Sequence, residues 1–138
     1  MTDMKVTRPY EYDPVRIAVV GLGMGAFRAA QITHTPGMKL MGVCDIVEEK
    51  AKKVGTELSV PWTTRLEDFL DNPEVEAIYI VTPAGTHCSI AESCLKSGKH
   101  VLSTKPMDAN AEACRRAIML ADETGLLLGV DFDVRQEV

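Results

Sequence analysis

Gly21, Gly23 and Asp45 are the residues whose types and spacing speak most directly of chemistry. The apolar run Arg16-Ile17-Ala18-Val19-Val20 leads straight into Gly21-Leu22-Gly23-Met24-Gly25-Ala26, and a second apolar run ends at Asp45, 24 residues after Gly21. A buried parallel strand that ends in a tight turn leaves backbone N–H groups free at the start of the next helix, where the helix dipole favours a pyrophosphate. Gly21 supplies the turn. Gly23 lets the backbone approach the phosphates with no Cβ in the way, and the third position, here Ala26, lets helix and strand pack closely. Leu22, Met24, Gly25 and Ile46 complete the stretches expected to line a dinucleotide. A carboxylate at the tip of the second strand accepts both hydroxyls of an adenosine ribose and repels the 2′-phosphate of NADP, so Asp45 predicts NAD. Asp45-Ile46-Val47-Glu48 also reads as a capping box for the following helix, and both roles fit one residue.

Moving a hydride between an alcohol carbon and a nicotinamide ring also requires moving the hydroxyl proton. Lys105, at the end of the fifth apolar run, is the candidate: its ammonium would polarise a carbonyl in one direction and stabilise an alkoxide in the other. The competing reading is a solvated lysine ahead of a turn proline. Thr82-Pro83 is similarly two-sided, since Pro83 fixes a turn while Thr82 either caps the next helix or lies against the nicotinamide. His87 reads as a helix-face histidine near the cleft, a candidate for contact with cofactor or substrate. Cys44, Cys88, Cys94 and Cys114 lack metal-ligand spacing and read as reduced core or near-core thiols; no metal site is expected.

Positioning these groups requires an alternation of strands and helices, and the chain carries one. Its 138 residues make one domain, and 46% apolar residues suffice for a core. A net charge of −5 speaks against nucleic acid or an anionic membrane as partner. No apolar stretch approaches the roughly 20 residues that span a bilayer, and Met1-Thr2-Asp3-Met4-Lys5 lacks the apolar core of a signal peptide, so a cytoplasmic protein is expected. Residues 1 to 14, with Pro9 and Pro14, read as a flexible arm and 15 to 138 as the dinucleotide-binding domain. Strands are expected near 15–20, 39–44, 60–62, 77–81, 100–103 and 126–132. Helices are expected to follow the glycine turn, Asp45, Arg65, Thr86 and Asn110 or Asp108. Right-handed crossovers then predict a doubly wound parallel sheet in the order 3-2-1-4-5-6, an α/β Rossmann architecture. In such sheets ligands lie beyond the carboxyl ends of the strands, where the glycine turn, Asp45, Thr82-Pro83 and Thr104-Lys105-Pro106 all fall.

The chain resembles the family of glucose-fructose oxidoreductase, inositol dehydrogenase and MocA-type oxidoreductases from Val15 to about Arg135. The resemblance rests on Gly21-Leu22-Gly23 with Asp45, on Val75 to Pro83 followed by Thr86-His87, and on Gly98-Lys99-His100-Val101-Leu102-Ser103-Thr104-Lys105-Pro106. It implies that Lys105 contacts substrate and cofactor, and that Thr82, Pro83 and His87 line the nicotinamide side. Thr104 stands where the family usually has Glu, beside the lysine, and is grouped with the cofactor contacts. The family continues into a second domain that covers the cleft and supplies further acid/base and sugar-binding groups, and that substrate domain is expected to lie outside these 138 residues. The leading expectation is therefore the NAD-binding half of an oxidoreductase acting on a sugar, polyol or related hydroxyl compound, with an open apolar cleft that favours a homo-oligomer or a partner chain. The alternative is a stand-alone nucleotide-binding or sensing module without turnover. An adenosine ligand other than NAD is a third reading, disfavoured by Lys105-Pro106.

Overall fold

The apolar run Ala77–Ile80 becomes a strand at the centre of the sheet, buried throughout because helices cover both of its faces. The computed structural model describes residues 13–132, so all of the expected arm except Asp13 and Pro14 lies outside the described residues. Within them the order is β1 (Val15–Val20), α1 (Met24–Thr33), β2 (Met38–Cys44), α2 (Glu48–Leu58), β3 (Trp62–Thr63), α3 (Glu67–Leu70), β4 (Ala77–Ile80), a 3-10 turn (Ala84–Thr86), α4 (His87–Lys96), β5 (His100–Thr104), α5 (Ala111–Thr124) and β6 (Leu128–Asp131). The six strands form one parallel sheet in the order β3-β2-β1-β4-β5-β6, as the crossover rule predicts. Strand order reverses between β1 and β4, and this places the carboxyl ends of those two strands at the mouth of a crevice.

Alternation along β1 divides the core. Ile17 and Val19 face α1 and α2 in a cluster with Ala29, Ile32, Val43 and Val54, whereas Ala18 and Val20 face the other side with Ile78, Ile80, Cys94 and Leu95. Gly42 of β2 makes room for an aromatic ring, since a Cβ there would lie 2.6 Å from Phe69 Cε1 and Cζ. Helix ends follow local chemistry. Asn110 caps α5, its side-chain oxygen accepting from the N–H groups of Glu112 and Ala113, and Gly125 closes that helix in the left-handed region at φ +71.

Three local expectations are corrected. The third strand is Trp62–Thr63 and not 60–62: Val60 N–H turns back to Gly55, and Pro61 has no N–H to donate, although its carbonyl accepts from Val43 at 3.0 Å. The sixth strand is shorter than 126–132. The capping box at Asp45 does not form. Helix α2 begins at Glu48 with Val47 at the cap position and no side-chain cap, while Asp45 Oδ1 accepts the Val47 N–H at 2.8 Å, a local turn that ends before the helix starts.

Candidate functional site

Because every strand runs the same way, the carboxyl ends share one edge of the sheet, and a cleft of about 890 Å³ opens there. Gly21, Leu22, Gly23, Met24, Asp45, Ile46, Thr82, Pro83, Thr104 and Lys105 all border it, bringing together residues far apart in the chain.

The two leading glycines do different work. Gly21 has φ +92, and a Cβ there would sit 2.7 Å from the Val81 carbonyl carbon and oxygen and from Thr82 N, all backbone. Its turn is therefore dictated by the close passage of the chain leaving β4. A Cβ on Gly23 would meet nothing within 4 Å, so that side of the loop opens onto the cleft. The close helix-to-strand approach expected at Ala26 falls instead at Gly25, where a Cβ would lie 3.3 Å from Val19 Cγ1 and Val81 Cβ. The reason is phase: α1 starts at Met24, which turns Gly25 toward the sheet. Ala26 packs against the same apolar cluster, and neither residue borders the cleft. No acidic residue occupies the first turn of α1, so no side-chain carboxylate competes there for the N–H groups that face an anion.

Asp45 ties the glycine loop to the end of β2. Its Oδ2 accepts the Leu22 N–H at 2.8 Å and its Oδ1 the Val47 N–H, joining the tip of β2 to the glycine loop. A carboxylate has about four lone-pair sites, so acceptor capacity remains for two hydroxyls. Leu22 buries its side chain in the core and meets the cleft through its backbone, whereas Met24 and Ile46 stand exposed at the rim. Gly23→Val is accordingly expected to leave the fold intact and to weaken NADH binding at least about tenfold by occupying the phosphate path. Parent-like NADH fluorescence titration with a parent-like unfolding midpoint would overturn that expectation.

At the other end of the cleft lie Thr82, Pro83, Thr86, Thr104 and Lys105. Thr82 does not cap α4. A 3-10 turn intervenes, and the Thr86 hydroxyl lies 2.7 Å from Thr82 Oγ1 and 2.6 Å from the Pro83 carbonyl oxygen. Thr104 Oγ1 reaches back to the Ile80 carbonyl at 3.4 Å, linking the ends of β4 and β5. Lys105 is exposed at the cleft edge. His87 is the correction in this region: only 2% exposed, it lies behind the wall and not on its surface, because both ring nitrogens turn inward to backbone carbonyls.

Sequence reasoning missed Arg28 and Asp131, which also border the cleft. Asp131 ends β6, accepts the Tyr79 hydroxyl at 2.6 Å and lies 3.9 Å from the Arg28 guanidinium, so three elements meet at one carboxylate. A carboxylate at the end of a strand, the signal that exposed Asp45, was present there too. Three of the cysteines stay thiols. Burial pushes Cys44, Cys88 and Cys94 up to about 12, and the 4.0 Å contact between the Cys88 and Cys114 sulfurs adds to the effect at Cys88. Among the described residues no group of His, Cys, Asp or Glu could hold a metal ion, and no helix is long and apolar enough to cross a membrane.

A family model described as an oxidoreductase family with an NAD-binding Rossmann fold, GFO_IDH_MocA, matches residues 15–132. Scyllo-inositol 2-dehydrogenase (NAD(+)) of Bacillus subtilis is 34% identical over 121 residues, covering 86% of this chain and 35% of that protein. Scyllo-inositol 2-dehydrogenase (NADP(+)) IolW of the same organism is 27% identical, covering 86% and 33%. Among solved structures, scyllo-inositol dehydrogenase from Lactobacillus casei with bound NAD(H) and scyllo-inositol superposes with a TM-score of 0.82 at 28% identity, over 89% of this chain and 37% of that one. The chain thus spans about a third of the length of the relatives it matches.

Proposed function

Given that the chain belongs to the GFO_IDH_MocA oxidoreductase family, we propose that its cleft holds NAD for hydride exchange with a sugar, polyol or related hydroxyl compound. The observation that carries this reading is the meeting of glycine turn, Asp45 and Lys105 along one cleft at the carboxyl edge of the sheet. The residues fit the group. The space beside Gly23, where a Cβ would meet no atom, suits a pyrophosphate against the α1 N-terminus, and the Asp45 carboxylate suits the adenosine ribose. When bound, NAD supplies the hydride acceptor or donor.

Lys105 acts on the oxygen of the reacting carbon. Its Nζ ammonium would stabilise negative charge on that oxygen and give it a proton when a carbonyl is reduced, and as the free amine Nζ would take the hydroxyl proton when an alcohol is oxidised. Thr82 and Pro83, which line the same cleft, would receive the nicotinamide, with Thr104 beside Lys105. Names of the relatives support a polyol or sugar as substrate.

Cofactor choice follows from Asp45, which sits where a 2′-phosphate would bring negative charge against a carboxylate. Calorimetric titration of the chain is expected to show NADH binding at least about tenfold tighter than NADPH, a difference of roughly 1.4 kcal/mol. Equal affinities would overturn the preference, and no binding of either would overturn the cofactor reading.

A further inference from the structure

His87 opens α4 behind the cleft, yet it touches both loops that form the cleft's far wall. Its Nδ1 lies 2.7 Å from the Pro106 carbonyl oxygen and its Nε2 lies 2.6 Å from the Thr82 carbonyl oxygen. One loop leaves β4 and carries Thr82-Pro83; the other leaves β5 and carries Lys105-Pro106. The ladder between those strands ends at Ile80 and Ser103, so beyond it side chains must set the spacing. The next residue strengthens the second tie: Cys88 N–H donates to Asp108 Oδ2 at 3.3 Å, and the Cys88 thiol lies 3.6 Å from the Met107 carbonyl.

We infer that His87 is a positioning residue whose imidazole bridges the Thr82 and Pro106 carbonyls and thereby sets the separation of the two loops that receive the nicotinamide. The inference rests on the cofactor reading above. Filling a core position asks only for volume, which leucine would supply. Two carbonyl oxygens converging on one buried side chain ask for something else. They are acceptors only, and each lies at hydrogen-bond distance of a ring nitrogen, so the planar ring, donating an N–H from both nitrogens as the imidazolium or from one as a neutral tautomer, spans them as a spacer of fixed length. Removing the ring would leave both carbonyls without this partner and free the loops to move independently, a loss localised to the far end of the cleft. Asp45 keeps its bonds to Leu22 and Val47 at the tip of β2, and although Gly21 packs against Val81 and Thr82, the larger loss is expected at the far end.

ADP-ribose carries the adenosine and pyrophosphate without the nicotinamide, so the ratio of NADH to ADP-ribose affinity reads the far end alone. In the full chain, His87→Leu is expected to weaken NADH about tenfold and ADP-ribose less than about twofold. His87→Asn and His87→Gln offer an amide near the Nδ1 and Nε2 positions respectively, restore one tie each, and should fall between Leu and parent. If the Leu variant does not fold, as judged by circular dichroism, the Asn and Gln variants carry the same comparison. A parent-like ratio in all folded variants, or an equal fall for both ligands, would overturn the inference while leaving the cofactor reading intact. A parent chain that binds ADP-ribose as tightly as NADH would overturn it as well, and one that binds neither would overturn both.

Discussion

Gly21→Ala is expected to lower the unfolding free energy by about 2–5 kcal/mol, measured by urea denaturation followed by circular dichroism. Two costs add. A non-glycine residue held at φ +92 is disfavoured by about 1–2 kcal/mol, and forcing a methyl into a filled position costs about 1–3 kcal/mol more. The overlap is with backbone, 2.7 Å from Val81 and Thr82, so no side chain can swing aside to relieve it. The displaced segment is the one that carries Thr82 into the cleft, and dinucleotide binding should fall with stability. Against a total of roughly 5–15 kcal/mol such a loss is large. An unchanged denaturation midpoint would show that the turn relaxes without strain, contrary to the crowding at this position.

Asp45→Ala is expected to weaken NADH binding by about 1–3 kcal/mol, roughly fivefold to 150-fold, with a smaller effect on NADPH. The carboxylate serves two purposes that the variant separates. It accepts the Leu22 and Val47 N–H groups, which shapes the glycine loop, and in the proposed function it presents charge to the ribose of NAD. Loss of the loop contacts lowers both affinities, whereas loss of the ribose contact lowers only that for NADH. Calorimetry with both cofactors distinguishes them: a narrowed NADH-to-NADPH ratio supports the ribose contact, and a parallel fall in both would assign Asp45 to the loop and sink its role in cofactor choice.

The amino-acid order by itself made the strand-to-glycine-turn-to-helix unit legible, because its pattern is local, an apolar run, a glycine and a helix start, whereas the crowding of Gly21 by Val81 and Thr82 was decided by the packing of β4 beside β1. It likewise determined the sheet order, since short connections and right-handed crossovers leave few arrangements for six parallel strands. Asp45 was legible as a strand-end carboxylate. Its bond to Leu22 was not, because that contact depends on β1 and β2 pairing in their particular register. The same limit explains Gly25, whose role depends on which residue begins α1, and Asp131, whose partners Tyr79 and Arg28 come from β4 and α1. His87 shows the division most clearly. Its type and helical position suggested a group facing the cleft, but only the packing of α4 against the β5 loop decided that the ring turns inward, where two backbone carbonyls replace water as its partners.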